Sequence, residues 1–434
     1  MPSGNSSTSQ SATLAEVAPR ATANARRSCS ISSAHGRSTA SGVIARITTE
    51  EIIGDATRFS ANYPLLAREV KADDRILVSD GEIELEVIST TDTEVTARVI
   101  HGGILGEHKG INLPGAHISI PSITEKDIAD LRFGIERDVD LVAQSFVRTA
   151  DDCTRARKLI EEFGGSAQLI AKIEKPEAMD NLTAILAAAD GVMVARGDLA
   201  VETSTERVPV LQKQIIAEAL RAEKQIITAT QMLQSMINNP RPTRAEASDV
   251  SNAVLDGSDA VMLSGETAVG KYPVEAVEMM DRIIRATEEM AQPAGTRMRQ
   301  TIFGQRSGSY GRAVSEAAIF AAEEAGCRLI VVITQSGHMA RRIAALRPRQ
   351  RIIALTPSET PLRQLAILWG VEPFLLEECP PASDDLLRRA DRALLEYQLA
   401  ERNEAVVVMA GRLSDVTISL SMKLHQVGEF TEAM

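Results

Sequence analysis

The stretch "LIAKIEKPEA" (residues 169–178) runs from an apolar lead into Lys172, Ile173 and Glu174, with a proline at 176. Side chains two apart on a strand project to the same side. A strand here therefore stands Lys172 and Glu174 together at its carboxyl end, and Pro176 marks the turn away from it. The same texture recurs on either side: "DLVAQSFV" (140–147), "QLIAKIE" (168–174), "GVMVARG" (191–197), "QIITATQ" (225–231) and "AVMLSGE" (260–266) are apolar runs ending in polar residues. Apolar-periodic helices alternate with them, one from near Thr149 to a stop at Gly164, another from Thr243 to Asp256 with Gly257 as its stop. Nearly all-apolar strands alternating with helices make a parallel sheet covered on both faces. Chemically loaded ends on every strand favour a (β/α)8 barrel, whose site lies at the carboxyl ends of all its strands. A doubly wound sheet would use only the strands at its switch point.

Two further textures flank this region. From about 43 to 116, "VIARITTE", "RILVSDG", "IELEVIST" and "EVTARVIHGG" alternate or cluster β-branched residues between Gly and Asp breaks and predict a small β-barrel or sandwich. From about 300 to 434 the α/β alternation resumes, with helices over 311–325, 338–346 and 361–369 and strands over 328–334, 351–356 and 404–410. "QPAGTRMRQTIFGQRSGS" ahead of it has linker composition. Residues 1–42, rich in Ser, Thr, Ala and Arg, predict a disordered leader. A transit peptide, a plain tail, and translation of DNA that does not encode this domain all fit that leader.

The formal net charge of -12 argues against a general nucleic-acid binder, since phosphate backbones are held by clustered Lys and Arg. The four cysteines, 29, 153, 327 and 379, form no C-x-x-C pair, which suits a reducing compartment and a cytoplasmic protein. No apolar run approaches the ~18 residues of a membrane span.

Glu174 and Asp198 end consecutive strands, where two carboxylates can flank one hard cation. Magnesium takes one or two carboxylates and fills its remaining positions with water and phosphate. Lys172 would add positive charge where a phosphoryl group is transferred. A purely structural Lys-Glu pair on a barrel rim explains the same spacing. "ARGDLAVE" (195–202) adds backbone amides near Gly197 that a small anion can approach closely, and an ordinary Gly-Asp turn reads the same way. "TQSGHMA" (334–340) sets hydroxyls and a Gly at a helix start, either an anion site or a plain strand-to-helix turn.

Long ordered segments carry a resemblance. "LIAKIEKPEAMDN", "DGVMVARGDLAVE", "HKGINLPG" and the block "IITATQMLQSMINNPRPTRAEASDVSNAVLDGSDAVMLSGETAVGKYP" resemble pyruvate kinase, over about residue 43 to the C-terminus, which makes 43–116 the family's β-barrel lid and 300–434 its C-terminal domain. That family moves the phosphoryl group of phosphoenolpyruvate to ADP with magnesium and, in most members, potassium. The resemblance implies that Glu174 and Asp198 are magnesium ligands and that Lys172 stabilises the transferring phosphoryl group. It implies that Gly197 and Thr230 contact the substrate carboxylate, that Thr230 lies where a proton reaches the enolate, and that Lys109 approaches nucleotide phosphate. Thr334, Ser336, Gly337 and His338 match the family's sugar-phosphate effector loop, with His338 where a more basic residue is common. A homotetramer is the family's common assembly, and Arg241 and Arg244 lie in a segment resembling its subunit contacts.

The family's first three barrel strands carry Arg-x-Asn-x-Ser-His-Gly and Asp-Thr-Lys-Gly-Pro segments, and neither occurs here; "SSAHGRS" (32–38) shares only His-Gly. Three βα units need about 90 residues, more than precede the lid. The expectation is a partial (β/α)8 barrel over 117–292 lacking those strands, its phosphoryl-binding arginine and its potassium ligands, with impaired activity. A non-catalytic remnant that binds effector and oligomerises, or a lyase of the phosphoenolpyruvate/pyruvate barrels, are the other readings.

Overall fold

A computed structural model describes residues 37–55, 57–79, 81–105, 110–115, 122–291, 310–376, 383–413 and 418–430. The described residues up to Ile215, together with Thr228–Gln231, form one compact unit, and Ile216–Ile227 with Met232 onward form another.

The first unit begins with eight short strands: β1 (Arg37–Thr39), β2 (Ile44–Thr48), β3 (Arg58–Ser60), β4 (Arg75–Val78), β5 (Ile83–Thr90), β6 (Glu94–His101), β7 (Gly103–Leu105) and β8 (Ile111–Asn112). β1 lies inside the stretch read as leader, where it pairs antiparallel with β7. Alternate residues Ile83, Leu85 and Val87 on β5 and Val95, Ala97 and Val99 on β6 are buried, as period-two strands with one dry face should be. They form one core with Phe59, Leu66, Ile76 and Leu113. The six-stranded sheet runs β3-β2-β6-β5-β4-β8, and among the described residues β3 and β8 do not pair.

Next come β9 (Leu141–Gln144), β10 (Gln168–Ile173) and β11 (Gly191–Ala195), every residue of which is buried. They are parallel, with Ala171 opposite both Gln144 and Val192. β9 has β10 on one side and no strand on the other among the described residues. The helix Ala150–Glu162 between β9 and β10 starts on a Thr149–Asp152 capping box, and Gly164 follows it at φ 74°. Pro176 stands where the chain leaves β10 and opens a helix, Pro176–Asp180, since proline suits a first helical position where no N–H is needed.

Strand β12 (Gln225–Ala229) carries the chain from one unit to the other. In the second unit, Ile226 at its start donates its N–H to Asp259 Oδ2 at 2.9 Å, and Asp259 N–H returns a bond to Ile226 O at 2.8 Å. β13 (Ala260–Met262) follows. Asp259 Oδ1 also meets Arg347 Nη1 at 2.8 Å, a pair whose side chains are 5% and 8% exposed. The Arg347 guanidinium stacks 5.1 Å from the Trp369 ring, and Trp369 Nε1 donates to Glu288 at 2.7 Å. The helix Arg244–Asp256 has the expected Thr243 cap and ends on Gly257 in the left-handed region at φ 110°.

The C-terminal sheet has the order β16-β15-β14-β17-β18, from β14 (Leu329–Ile333), β15 (Arg351–Thr356), β16 (Val371–Leu375), β17 (Ala405–Leu413) and β18 (Ile418–Gln426). β14 to β17 are parallel and β18 is antiparallel to β17. Leu329, Val331, Ile333, Ile353 and Leu355 bury one face against Leu387, Ala390 and Leu394 of the helix Ser383–Glu396. The linker expected over 292–309 lies outside the described residues.

Candidate active site

The carboxyl end of β10 delivers two charges into a buried place. Lys172 is 4% exposed and Glu174 0%, and Lys172 Nζ stands 2.9 Å from Glu174 Oε1. Their common side of the pleat is the one the sequence predicts. Lys172 also donates to Ser145 Oγ at 2.9 Å, just past the end of β9. Glu174 Oε2 accepts the Phe146 N–H at 2.7 Å, and Phe146 sits at φ 53°. A bulky residue in the left-handed region is strained, and here that backbone turn aims an amide at the carboxylate. Burial pushes the Glu174 carboxyl above its ordinary range; the Lys172 charge opposes this and the Asp198 carboxylate adds to it.

Thr230, at the end of β12, is a second strained point, a β-branched residue at φ 70° followed by Gln231 at φ 54°. Its hydroxyl accepts the Gly197 N–H at 2.8 Å and donates to Ala229 O at 2.6 Å. Arg196 clamps the same turn, donating to Thr230 O at 2.7 Å and Ala229 O at 3.3 Å. A Cβ added at Gly197 would meet Thr230 at an ordinary 3.5 Å, so packing within the protein does not by itself demand glycine there. The strand read as 191–197 in fact ends at Ala195, and Arg196, Gly197 and Asp198 open the helix Arg196–Glu202. Gly197 and Asp198 are thus carried beside Thr230 by a helix start rather than by a strand.

Lys172, Glu174, Gly197, Asp198 and Thr230 all fall in the first compact unit. Among the described residues, no three His, Cys, Asp or Glu side chains group as metal ligands. The donors present nonetheless fit a magnesium ion: Glu174 and Asp198 are two buried carboxylates whose charges oppose each other. That is the one-or-two-carboxylate set this ion takes with water and phosphate. Lys109 lies outside the described residues.

The effector-loop residues lie in the second unit. Thr334 is buried and its hydroxyl accepts the Gly337 N–H at 3.0 Å, while Ser336 and His338 are exposed. Gly337 starts the helix His338–Ala345 at φ 76°, and a side chain there would strike Leu365 at 2.8 Å. His338 Nε2 stands 3.0 Å from Arg342, which pairs with Glu223 at 2.8 Å. Although His338 as a residue is exposed, partial desolvation of its ring, followed by the nearby Arg342 and Arg341 charges, holds the imidazole below its ordinary range.

Comparison with known proteins identifies the family. The family model for the pyruvate kinase barrel domain matches residues 24–277, and that for the pyruvate kinase alpha/beta domain matches 312–422. The chain belongs to the pyruvate kinase family. Curated pyruvate kinases from Corynebacterium glutamicum and Mycobacterium tuberculosis are each 44% identical to it, over 90% of this chain and 81% of their own length. The crystal structure of a pyruvate kinase from Cryptosporidium parvum superposes with a TM-score of 0.82 at 33% identity, covering 92% of this chain and 82% of that one. The chain therefore has the α/β pyruvate kinase fold with a C-terminal α/β domain, and its family is one of phosphotransferases. No helix among the described residues is long and apolar enough to cross a membrane.

Within this pyruvate kinase fold, several partners escape sequence reading. Ser145 and Arg196 are visible as polar strand ends, but their roles as Lys172 acceptor and Thr230 clamp depend on backbone turns that no side-chain pattern encodes. Glu202, with Asn112 and Lys175 on its two oxygens, carries no spacing signal, because Asn112 is 90 residues away in the chain.

Proposed function

We propose that this chain transfers the phosphoryl group of phosphoenolpyruvate to ADP, giving pyruvate and ATP, at the cluster of Lys172, Glu174, Gly197, Asp198 and Thr230. The observation that carries the reading is the buried Lys172–Glu174 pair, two charges placed in a dry site where a stability role alone offers little return. Glu174 and Asp198 would hold magnesium, which when bound neutralises charge on the phosphoryl oxygens. Lys172 adds a fixed cation beside the group in transit. The Thr230 hydroxyl, which accepts from the Gly197 amide and donates to Ala229 O, would turn its proton from Ala229 O to the enolate and, with Gly197, would receive the substrate carboxylate. Lys109 would meet nucleotide phosphate and Thr334, Ser336, Gly337 and His338 a sugar phosphate, in a cytoplasmic homotetramer.

We further propose that residues 43–116 are the lid, 117–292 the catalytic domain and 300–434 the effector domain. In this reading β9 to β13 are the last five strands of an eight-stranded barrel whose first three are not in this chain, and turnover is impaired. The unpaired flank of β9 among the described residues supports it, as does the 81% share of the curated relatives that the chain spans. Purified chain supplied with phosphoenolpyruvate, ADP, magnesium and potassium tests both parts. Slow but measurable pyruvate formation is expected; turnover matching a full-length relative overturns the impairment, and binding of neither substrate overturns the function.

A further inference from the structure

Next to the catalytic cluster lies a carboxylate the proposed chemistry does not use. Glu202, at the end of the helix that begins with Arg196, Gly197 and Asp198, has a side chain only 3% exposed. Its Oε1 accepts from Asn112 Nδ2 at 3.1 Å, and its Oε2 pairs with Lys175 Nζ at 3.0 Å, a side chain itself 14% exposed. Asn112 belongs to β8, the last strand of the lid sheet, three positions after Lys109. Lys175 directly follows Glu174 in the chain, and its ammonium lies 6.0 Å over the ring of Phe146, whose amide holds Glu174. One buried carboxylate thus touches the lid, the loop leaving β10, and the helix bearing Asp198.

A charged group this dry persists only with its partners in place. A neutral Asn and a cation on its two oxygens satisfy it from two sides, and moving either partner leaves one oxygen of the buried carboxylate unpaired. We infer that Glu202 is a positioning residue that fixes the lid strand β8 to the carboxylate-bearing loops, so that nucleotide held by the lid, the phosphoryl acceptor, meets the phosphoryl donor at Glu174 and Asp198. The inference rests on the proposed site for its catalytic meaning, while the tether itself is a matter of geometry.

The test uses the full chain with Glu202→Gln, Asn112→Ala and Lys175→Met. Hydrogen exchange is followed by mass spectrometry in peptides spanning 110–115 and 172–178, and KM for ADP and for phosphoenolpyruvate is measured in parallel. Glu202→Gln should speed exchange in both peptides, Asn112→Ala chiefly in the first and Lys175→Met chiefly in the second. KM for ADP should rise about tenfold in Glu202→Gln, the scale of one charged hydrogen bond, with KM for phosphoenolpyruvate within about twofold of the parent. If Glu202→Gln does not fold, the two single-contact variants decide the question. Exchange unchanged in both peptides, or both KM values moving together, overturns the positioning role. A parent chain that binds no ADP sinks the functional reading instead, and the exchange rates then decide the tether alone.

Discussion

Replacing Lys172 with methionine strips the counter-charge from a carboxylate that has almost no water. The Lys172 and Glu174 side chains are 5% and 1% exposed, and what remains to Glu174 is the Phe146 amide at 2.7 Å, with Asp198 repelling it. Breaking one side of such a pair costs about 3–5 kcal/mol, whereas removing both partners is often near neutral. Lys172→Met should therefore lose about 3–5 kcal/mol at pH 7, and Lys172→Met with Glu174→Gln should lose less than the single change. The sign with pH follows from the raised Glu174 carboxyl. A group whose folded value lies above its unfolded one stabilises the fold below the unfolded value, and that contribution disappears as pH rises through the folded value. Without Lys172 the carboxyl is raised further, so lowering pH from 7 to 5 should return part of that loss. Urea unfolding followed by far-ultraviolet circular dichroism at both pH values measures this. Equal losses in the single and double variants, or a loss indifferent to pH, would refute this account of the pair.

Three other outcomes are expected. Thr230→Ala should lose about 1–2 kcal/mol and most turnover with its two hydroxyl bonds, while Thr230→Gly should regain about 1 kcal/mol of that stability, since φ 70° suits glycine, without regaining turnover; unfolding curves beside a pyruvate assay separate the two. Arg347→Met should cost about 3–5 kcal/mol by stranding buried Asp259, read from urea midpoints, and Asp259→Asn in the same chain should return much of it. Magnesium should raise the melting temperature of the parent chain and leave that of Glu174→Gln in place, checked by a thermal shift titration.

What the sequence discloses follows the physics of each element. β10, β11 and β12 are legible because unbroken apolar runs with β-branched residues fit strands buried on both faces. The helices after Thr149 and Thr243 are legible because a capping Thr meets an acid three residues on. β16 is not, because Pro373 within "VEPFL" argues against a strand; the structure places it at a sheet edge, where a missing N–H is tolerated. β18 and the helix Ser383–Glu396 also lie outside the expected elements, although the latter is strongly amphipathic. In the candidate site, the residue types at the strand ends are legible and their backbone settings are not. Positive φ at Phe146 and Thr230 arises from how consecutive strand ends are tied to one another, through Glu174 and Arg196. Those ties are long-range, and no local pattern announces them.

The stack of Arg347 on Trp369 has a practical sequel. Trp369 is the sole tryptophan of the chain, and it sits in the second compact unit against the Asp259 carboxylate and Glu288. Its emission is a local gauge for that unit, whereas circular dichroism averages helices and strands of both. Coincident urea transitions by the two signals would mean that the units melt as a single cooperative body; separated ones would give each unit its own stability. The protein thus carries its one tryptophan in one unit and none in the other, a built-in means of watching whether the unit that holds Lys172 and Glu174 stands or falls with its neighbour.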